Sequence, residues 1–149
     1  MIECVVDSVR VHEQTKRHVV CLKDDSSGRV LPIWIGPDQA HAISTRLYGL
    51  GTERPMTHDL MLDAFVKLGV EIVRVAVTAI VAQAGPGGQG VFHASVFLRS
   101  GEREVEIDGR PSDAIALAVR SGAPVFVDDS VFAQSAIAAG AQPPAGEVY

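Results

Sequence analysis

The alternation of apolar and polar residues divides the chain into strands and helices. Short runs rich in β-branched residues predict strands, and apolar residues spaced three and four apart predict helices. The predicted strands are residues 2–11, 19–23, 29–35, 70–81, 92–99, 103–108 and 123–127. The predicted helices begin near Pro37, Thr57, Pro111 and Asp128, and the last of them, capped within Asp128-Asp129-Ser130, ends near Gly140. A flexible loop is expected at residues 84–90. We therefore expect an α+β fold, a β-rich single domain with helices packed on the sheet.

The first two predicted helices each carry one apolar stripe, which we expect to face the core. The stripes consist of Ala40, Ile43, Leu47 and Leu50 in the first helix and of Met61, Phe65 and Leu68 in the second. Thr57 is expected to be the N-cap of the second helix, because threonine is a favoured capping residue. Asp59 would then lie in the first turn, where the helix dipole favours a carboxylate.

One pattern of proline, alanine and arginine occurs twice, from Pro37 to Arg46 and again from Pro111 to Arg120. In each copy a predicted strand and a break precede a helix. The match fits an internal duplication of a strand-break-helix unit. It fits chance equally well, because alanine and leucine are common in helices. A true duplication predicts two similar β-rich halves with helices packed on one face.

Length and composition describe an ordinary globular chain. The 149 residues fit one domain, which we place at residues 1–140, with residues 141–149 as a flexible tail. No apolar run is long enough to cross a membrane, and the acidic start is unlike a signal peptide. Cys4 and Cys21 form no CxxC pair, and we expect buried thiols on neighbouring strands. These features predict a cytoplasmic protein without a membrane partner.

The charge balance limits the partners. The formal net charge is −5, whereas a protein that holds nucleic acid by charge alone is usually basic. Either nucleic acid is not the partner, or a local basic patch or a bound cation reverses the sign at the site.

The strongest polar cluster is Asp108-Gly109-Arg110-Pro111-Ser112-Asp113, where a predicted strand leads into a helix. Free N–H groups at a helix start favour an anion, and Arg110 can hold a phosphate there. Asp108 and Asp113 can ligate a hard cation through oxygen. In the alternative interpretation, Ser112 or Asp113 caps the helix and Arg110 pairs with a nearby acid.

A second cluster, Arg54-Pro55-Met56-Thr57-His58-Asp59, repeats this arrangement. Histidine side chains change charge near neutral pH, so a histidine such as His58 can act as a general base or as a ligand. His58 and Asp59 are adjacent on a helix, so they point about 100° apart and need partners from elsewhere in the fold. The alternative is a solvated first turn, where acids are common.

The remaining aromatic and imidazole side chains give weaker signals. Trp34, the only tryptophan, is expected to anchor a core or an interface, with base stacking as the alternative. Four further histidines lack ligand spacing and are expected to be surface or structural residues; they are His12, His18, His41 and His93.

Three segments, in this order, resemble the bifunctional nuclease domain family. They are Leu31-Pro32-Ile33-Trp34-Ile35-Gly36, Arg54-Pro55-Met56-Thr57-His58-Asp59-Leu60 and Ile107-Asp108-Gly109-Arg110-Pro111-Ser112-Asp113-Ala114-Ile115-Ala116-Leu117-Ala118-Val119-Arg120. The resemblance extends over residues 1–134. It implies a compact α+β fold that tends to dimerise, and a nuclease activity that in some members covers both DNA and RNA.

This resemblance implies a hydrolase of phosphodiester bonds in DNA, RNA or both, with a cleft built from the three segments. The expected catalytic residues are His58, Asp59, Asp108 and Asp113. The expected phosphate-binding residues are Arg54, Thr57, Arg110 and Ser112. A divalent cation (Mg²⁺, Mn²⁺ or Ca²⁺) would be held by Asp59, Asp108 and Asp113, and no organic cofactor is expected.

A second class of function stays open beside the nuclease. It is a non-catalytic, dimeric regulatory module that binds an anion or a nucleotide. The absence of an obvious nucleophile in the sequence and the acidic charge favour this alternative. Its cleft would hold a nucleotide, a metabolite or an acidic partner peptide. In both interpretations the chain forms a homodimer, and the long predicted strand at residues 70–81 is expected to offer an edge for the partner.

Overall fold

The computed structural model describes residues 1–82 and 90–141. All but Gly90 of the loop expected at 84–90, and all but Ala141 of the expected tail, lie outside the described residues. The described strands are β1 (Ile2–Val11), β2 (His18–Lys23), β3 (Val30–Ile35), β4 (Val70–Ala82), β5 (Gly90–Ser100), β6 (Arg103–Gly109) and β7 (Val125–Val127). The described helices are α1 (Pro37–Leu47), α2 (Thr57–Lys67), α3 (Pro111–Ser121) and α4 (Asp129–Ser135). The α+β prediction is confirmed.

All of these strands form one curled sheet in the order β3-β2-β1-β7-β4-β5-β6. Strands β1 to β3 form one antiparallel meander, and β4 to β6 form another. The short strand β7 joins them, since it pairs antiparallel with β1 and parallel with β4. Each meander leads into a helix whose first residue is a proline, α1 or α3. The two halves therefore share one order of elements, as a duplication requires.

The position of β4 differs from our expectation that its long run offers a free edge for a partner. Strand β5 pairs along β4 on one side, and β7 pairs with residues 75–77 on the other, so any free edge of β4 is limited to the residues that flank this short segment. The sheet ends instead at β3 and β6. Val30 of β3 is bridged to Ile137 by two backbone hydrogen bonds of 2.9 and 2.7 Å. On its outer side, β6 pairs with no strand of the described part of the chain.

The two thiols lie apart. Both are buried and free, as expected, but Cys4 lies opposite Val125 of β7, and Cys21 lies opposite Ser8 of β1. Cys4 belongs to the main core, whereas Cys21 packs with Trp34 in a smaller apolar cluster. The prediction that they are cross-strand neighbours is therefore wrong: their strands pair, but Cys21 lies opposite Ser8, four residues along β1 from Cys4.

Helix α2 buries less of its apolar surface than its stripe predicts. Met61 is 41% exposed and Leu68 is 76% exposed, whereas Phe65 packs against the core. Its main contacts are with α3 and β4, so the side away from them stays open. In α1 the helix ends at Leu47, and Leu50 lies beyond it, 58% exposed. The predicted stripes are therefore wrong at Leu50, Met61 and Leu68.

Helix α4 is shorter than expected. It ends at Ser135 rather than near Gly140, and the chain then forms the bridge between Ile137 and Val30. Its N-cap is Asp128, as expected, whose side chain accepts hydrogen bonds from the backbone N–H groups of Ser130 and Val131.

Candidate functional site

A cavity of about 710 Å³ opens between the first turns of α1, α2 and α3 and the end of β6. Its polar lining residues are Asp38, Gln39, His41, Thr57, His58, Asp108, Arg110 and Asp113. Its apolar lining residues include Met56, Met61, Phe65, Val96, Leu98, Ile107 and Leu117. The two arginine-flanked helix starts that the sequence singled out therefore reach one cavity, with residues from α2 on one side and from α3 on the other.

Three of the predicted residues form a hydrogen-bonded chain at this cavity. His58 Nε2 lies 3.0 Å from Asp113 Oδ1, and Arg110 Nε donates to Asp113 Oδ2 at 2.8 Å. His58 is buried, whereas the side chain of Arg110 is 59% exposed. Asp113 thus joins a buried imidazole to a solvent-facing guanidinium, which places a proton-accepting group beside an anion-binding group.

The charge of Asp113 determines which nitrogen of His58 carries the proton. Burial raises the pKa of this carboxyl, but the hydrogen bonds from Arg110 and His58 outweigh burial and leave the pKa below its ordinary value. An ionised carboxylate only accepts hydrogen bonds, so His58 donates from Nε2. His58 Nδ1 is buried and has no hydrogen-bond partner among the described residues. In neutral His58 this nitrogen is a free acceptor.

Asp108 lies at the rim of the same cavity, near the end of β6. Its side chain is 87% exposed, and its Oδ1 lies 3.9 Å from His93 Nδ1. The following residue, Gly109, has open space where a Cβ would stand, so the backbone here does not require a glycine. Asp108 is therefore an accessible carboxylate, free to meet a bound ligand.

Asp59 and Arg54 do not line this cavity. They line a second depression of about 460 Å³, together with Arg46 and Arg120. Asp59 Oδ2 accepts a hydrogen bond from the backbone N–H of Met56 at 2.8 Å, and its Oδ1 accepts one from Arg120 Nε at 2.8 Å. Burial raises the pKa of Asp59, but these two bonds and the charge of Arg120 bring it below its ordinary value. Asp59 thus fixes the start of α2.

The helix caps also differ from prediction. Met56 is the N-cap of α2, and Thr57 is the first helical residue, so the prediction that Thr57 is the cap is wrong. Arg110 is the N-cap of α3, without a side-chain capping bond. Neither Ser112 nor Asp113 therefore caps the helix. Ser112 is fully buried, and its hydroxyl has no partner among the described residues, so it is closed to a phosphate outside.

The three carboxylates expected to share a cation are divided between the two depressions. Asp108 and Asp113 line the larger cavity, and Asp59 lines the smaller one. Within residues 1–82 and 90–141, no group of three or more His, Cys, Asp or Glu side chains could hold a metal ion. A cation here would therefore have at most two carboxylate ligands from the cavity and would need oxygen atoms of a substrate as well.

The sequence pattern missed several residues of the two depressions. Asp38, Gln39 and His41 in α1 form one wall of the cavity; His41 is exposed, as expected of a surface residue, but its place beside the cavity was not predicted. Arg120, almost completely buried, is the partner of Asp59. The repeated pattern was the available signal, because it aligns α1 with α3, the helix that carries Arg110, and these two helices pack together.

Trp34 is a core residue. It is 5% exposed and packs with Val19 and Cys21, and the guanidinium of Arg17 lies 5.0 Å from its ring centre. This burial agrees with the anchor interpretation and leaves no open face for base stacking.

The family model of the bifunctional nuclease domain matches residues 20–140. The chain belongs to the bifunctional nuclease domain family. The match includes all three motif segments and every residue that lines the two depressions. Within the described residues, no helix is both long and apolar enough to cross a membrane.

Curated relatives agree with this assignment. A Mycobacterium tuberculosis protein described as uncharacterized is 33% identical over 137 residues, covering 92% of this chain and 77% of its own length. Bifunctional nuclease 2 of Arabidopsis thaliana is 29% identical over 113 residues, covering 74% of this chain and 32% of that protein. Bifunctional nuclease 1 of Oryza sativa subsp. indica is 24% identical over 134 residues, covering 85% of this chain and 38% of that protein. This chain is therefore similar to about a third of each plant protein.

Proposed function

We propose that this protein is a nuclease that hydrolyses phosphodiester bonds of DNA, RNA or both in the cavity between α1, α2 and α3. The family and the names of the plant relatives support a nuclease. The proposal for this cavity rests on one observation, the hydrogen bonds that join buried His58 through Asp113 to exposed Arg110. It combines the two functions that hydrolysis of a charged diester needs, proton transfer and charge stabilisation.

His58 is the proposed general base. With its Nε2 proton held by Asp113, Nδ1 is the nitrogen that accepts a proton from the attacking water. Because Nδ1 is buried, the first turn of α2 must shift when substrate enters, so that water reaches Nδ1 while Nε2 stays bonded to Asp113. The lowered pKa of Asp113 keeps that carboxylate ionised, so it also stabilises the imidazolium that forms.

Arg110 is the proposed phosphate-binding residue, helped by Thr57 in the first turn of α2. Only Nε of Arg110 is used by Asp113, and its terminal nitrogens have no partner among the described residues. They are therefore available to the non-bridging oxygens of a phosphate, where guanidinium gives paired hydrogen bonds. Arg110 also supplies positive charge at the site of a protein whose net charge is −5.

A divalent cation fits this cavity only when it is shared with the substrate. Mg²⁺ commonly binds to one or two carboxylates together with phosphate oxygens, and Asp108 and Asp113 are the carboxylates that would hold it. Such an ion would neutralise charge that develops on the phosphate. Asp59 has no part in this proposal, because it lines the smaller depression and not this cavity.

We further propose that the chain acts as a homodimer in the cytoplasm. Helix α2 exposes a row of apolar side chains at four-residue spacing, with Leu60 at 66% and Leu68 at 76% exposure and Ala64 between them. Such a row on one helix face supports pairing with a second copy. The free thiols of Cys4 and Cys21 suit a reducing compartment.

The test is cleavage by the wild type and by His58→Gln. Purified protein is incubated with plasmid DNA, single-stranded DNA and single-stranded RNA, with Mg²⁺, Mn²⁺ or Ca²⁺ or with a chelator. We expect cleavage by the wild type and a loss of about 100-fold or more in His58→Gln. The matched control is His12→Gln, a histidine away from the cavity, which should cleave like the wild type. Equal cleavage by His58→Gln and wild type would overturn the proposal.

The non-catalytic alternative keeps one observation in its favour, the apolar interior of the cavity beside Arg110. A binding module would be stabilised against heat by a nucleotide or inorganic phosphate without consuming it. Stabilisation of the wild type that Arg110→Ala abolishes, with no turnover of any nucleic acid, supports this alternative over the nuclease.

A further inference from the structure

The cavity is larger and more apolar than a phosphate diester requires. A volume of about 710 Å³ lies in the range of sites that enclose a whole small organic molecule. Phe65, Leu98 and Leu117 form its interior, and Arg110 stands at the polar side. A phosphate at Arg110 therefore leaves apolar space beside it, and a phosphodiester substrate can fill that space only with a sugar or a base.

Polar groups on α1 stand among these apolar walls. Asp38 and Gln39 line the cavity, and neither side chain makes a hydrogen bond to the described residues. A carboxylate can accept a hydrogen bond from an amino or ring N–H group of a base, and an amide can both donate and accept. Helix α1 thus offers hydrogen bonds to a base edge, while the apolar interior contacts the base faces.

The unpartnered nitrogen of His58 also supports a ligand in this cavity. His58 is only 8% exposed, lines this cavity, and keeps Nδ1 without a partner among the described residues. A buried polar atom without a partner is costly, and native structures keep few of them. A ligand or its attacking water at this point would give Nδ1 the hydrogen bond that the protein does not provide.

We propose that the cavity accommodates one unpaired nucleobase of a single-stranded or locally opened nucleic acid, with its phosphate at Arg110. This inference rests on the proposed function of the same cavity. A base within a duplex is stacked and paired on both sides, so it enters such a cavity only after extrusion, which costs a few kcal/mol. Single strands are therefore the preferred substrate, and Gln39 is the residue that discriminates among bases.

Cleavage of a single-stranded 12-mer is compared with cleavage of the same sequence in a duplex and with a strand that carries one abasic residue at the main cleavage position. We expect the duplex and the abasic position to be cut about tenfold more slowly, because contact with one base contributes that much or more. Equal rates for the intact, abasic and duplex substrates would overturn the inference while leaving the nuclease intact.

Gln39→Ala provides the residue-level test. We expect it to reduce the difference in cleavage rate among homopolymers of the four bases. The matched control is Gln14→Ala, which changes a glutamine in the β1–β2 connection and should behave like the wild type. An unchanged base preference in Gln39→Ala would remove Gln39 from the proposal.

A binding measurement separates the two proposals if no cleavage is found. AMP and ribose 5-phosphate are titrated into the full chain, and binding is followed by calorimetry. We expect AMP to bind about tenfold or more tightly, and Gln39→Ala or Arg110→Ala to weaken it. That result supports the base site even when the nuclease proposal fails. Equal affinity for AMP and ribose 5-phosphate overturns the base site whatever the nuclease assay shows.

Discussion

Asp59 and Arg120 form an ion pair of 2.8 Å that ties the first turn of α2 to the last turn of α3. The neighbouring residue His58 makes the opposite connection, because it reaches Asp113 in the first turn of α3. Two consecutive residues of α2 thus hold both ends of α3, each through a charged or ionisable pair. The position of His58 in the cavity depends on this double connection.

Removing Arg120 should destabilise the protein. The arginine side chain is 2% exposed and also donates to the backbone carbonyl of Ala116, so Arg120→Met leaves Asp59 charged and without its partner. We expect the free energy of unfolding to fall by about 2–3 kcal/mol. Urea unfolding of both proteins measures it. The control is Lys67→Met, which breaks the exposed pair with Asp63 and should cost less than about 1 kcal/mol. A similar small loss in Arg120→Met would contradict this role.

Acid should weaken the same connection. In the folded state the pKa values of Asp59 and Asp113 are below their ordinary values. An unfolded aspartate titrates near pH 3.9, so the loss of stability should begin only below about pH 4. The stabilisation is fully present above that pH and is lost as the pH falls through the lower folded values. Urea unfolding between about pH 7 and about pH 2.5 should show this loss. Asp59→Asn should show a smaller loss, and an identical pH dependence would contradict the assignment.

The two connections between α2 and α3, from His58 and from Asp59, show what a sequence can reveal about the site. That His58 and Asp59 need separate partners follows from helix geometry alone, and both partners come from α3. The identity of Arg120 does not follow, because it depends on how α2 crosses α3 in space. The same limit explains the exposed Leu68, since periodicity identifies an apolar face but not whether another element covers it.

The sheet illustrates this limit at larger scale. The predicted strands follow from local alternation and turns, and each is present with boundaries within two residues of those expected. The interior position of β4 could not be read from its own residues, because β7, which covers it, lies about fifty residues further along the chain. A three-residue strand such as Val125–Val127 carries little periodicity, so its pairing is determined by tertiary contacts.

Replacing Asp113 should affect turnover more than binding. Asp113→Asn keeps the shape but no longer holds the His58 proton with an ionised acceptor, so we expect cleavage to fall by about 100-fold or more. Its pH profile should also shift, because the carboxylate no longer stabilises the imidazolium. The measurement is kcat and KM between pH 5 and 9, a range of about two units on each side of neutrality. An unchanged profile with only a higher KM would indicate that Asp113 binds substrate instead.

Replacing Arg110 should affect binding more than turnover. Arg110→Ala removes the exposed guanidinium, and we expect KM to rise about tenfold or more. The control is Arg103→Ala, an arginine at the other end of β6, whose KM should stay at the wild-type value. Equal changes in both variants would point to a general effect of charge rather than to a phosphate site.

A cation requirement should depend on Asp108. If a divalent ion is shared between this carboxylate and the phosphate, a chelator should abolish cleavage, and Asp108→Ala should raise the half-saturating cation concentration about tenfold. Titration of Mg²⁺, Mn²⁺ and Ca²⁺ gives that concentration. The control is Asp25→Ala, which removes an exposed acid in the β2–β3 connection, outside the cavity. Full activity of the wild type with the chelator would show that the reaction proceeds without a metal.

The row of exposed apolar side chains on α2, Leu60, Ala64 and Leu68, should determine the oligomeric state. Leu60→Glu and Leu68→Glu place a charge in an interface that we expect to be dry, so the dimer should dissociate to monomers. Light scattering coupled to size-exclusion chromatography measures the mass. Val11→Glu, at a similarly exposed valine of β1, should remain dimeric. A monomeric wild type would contradict the homodimer.

The short strand β7 has a consequence for synthesis of the chain. The ribosome completes both meanders before it makes the three residues that join them, so a growing chain holds two half-sheets with unsatisfied edges at β1 and β4. Unpaired edges of this kind invite association with other chains. Nascent protein that stalls before Val125 should therefore depend on chaperones, whereas a chain extended past Val127 should close its sheet and escape them.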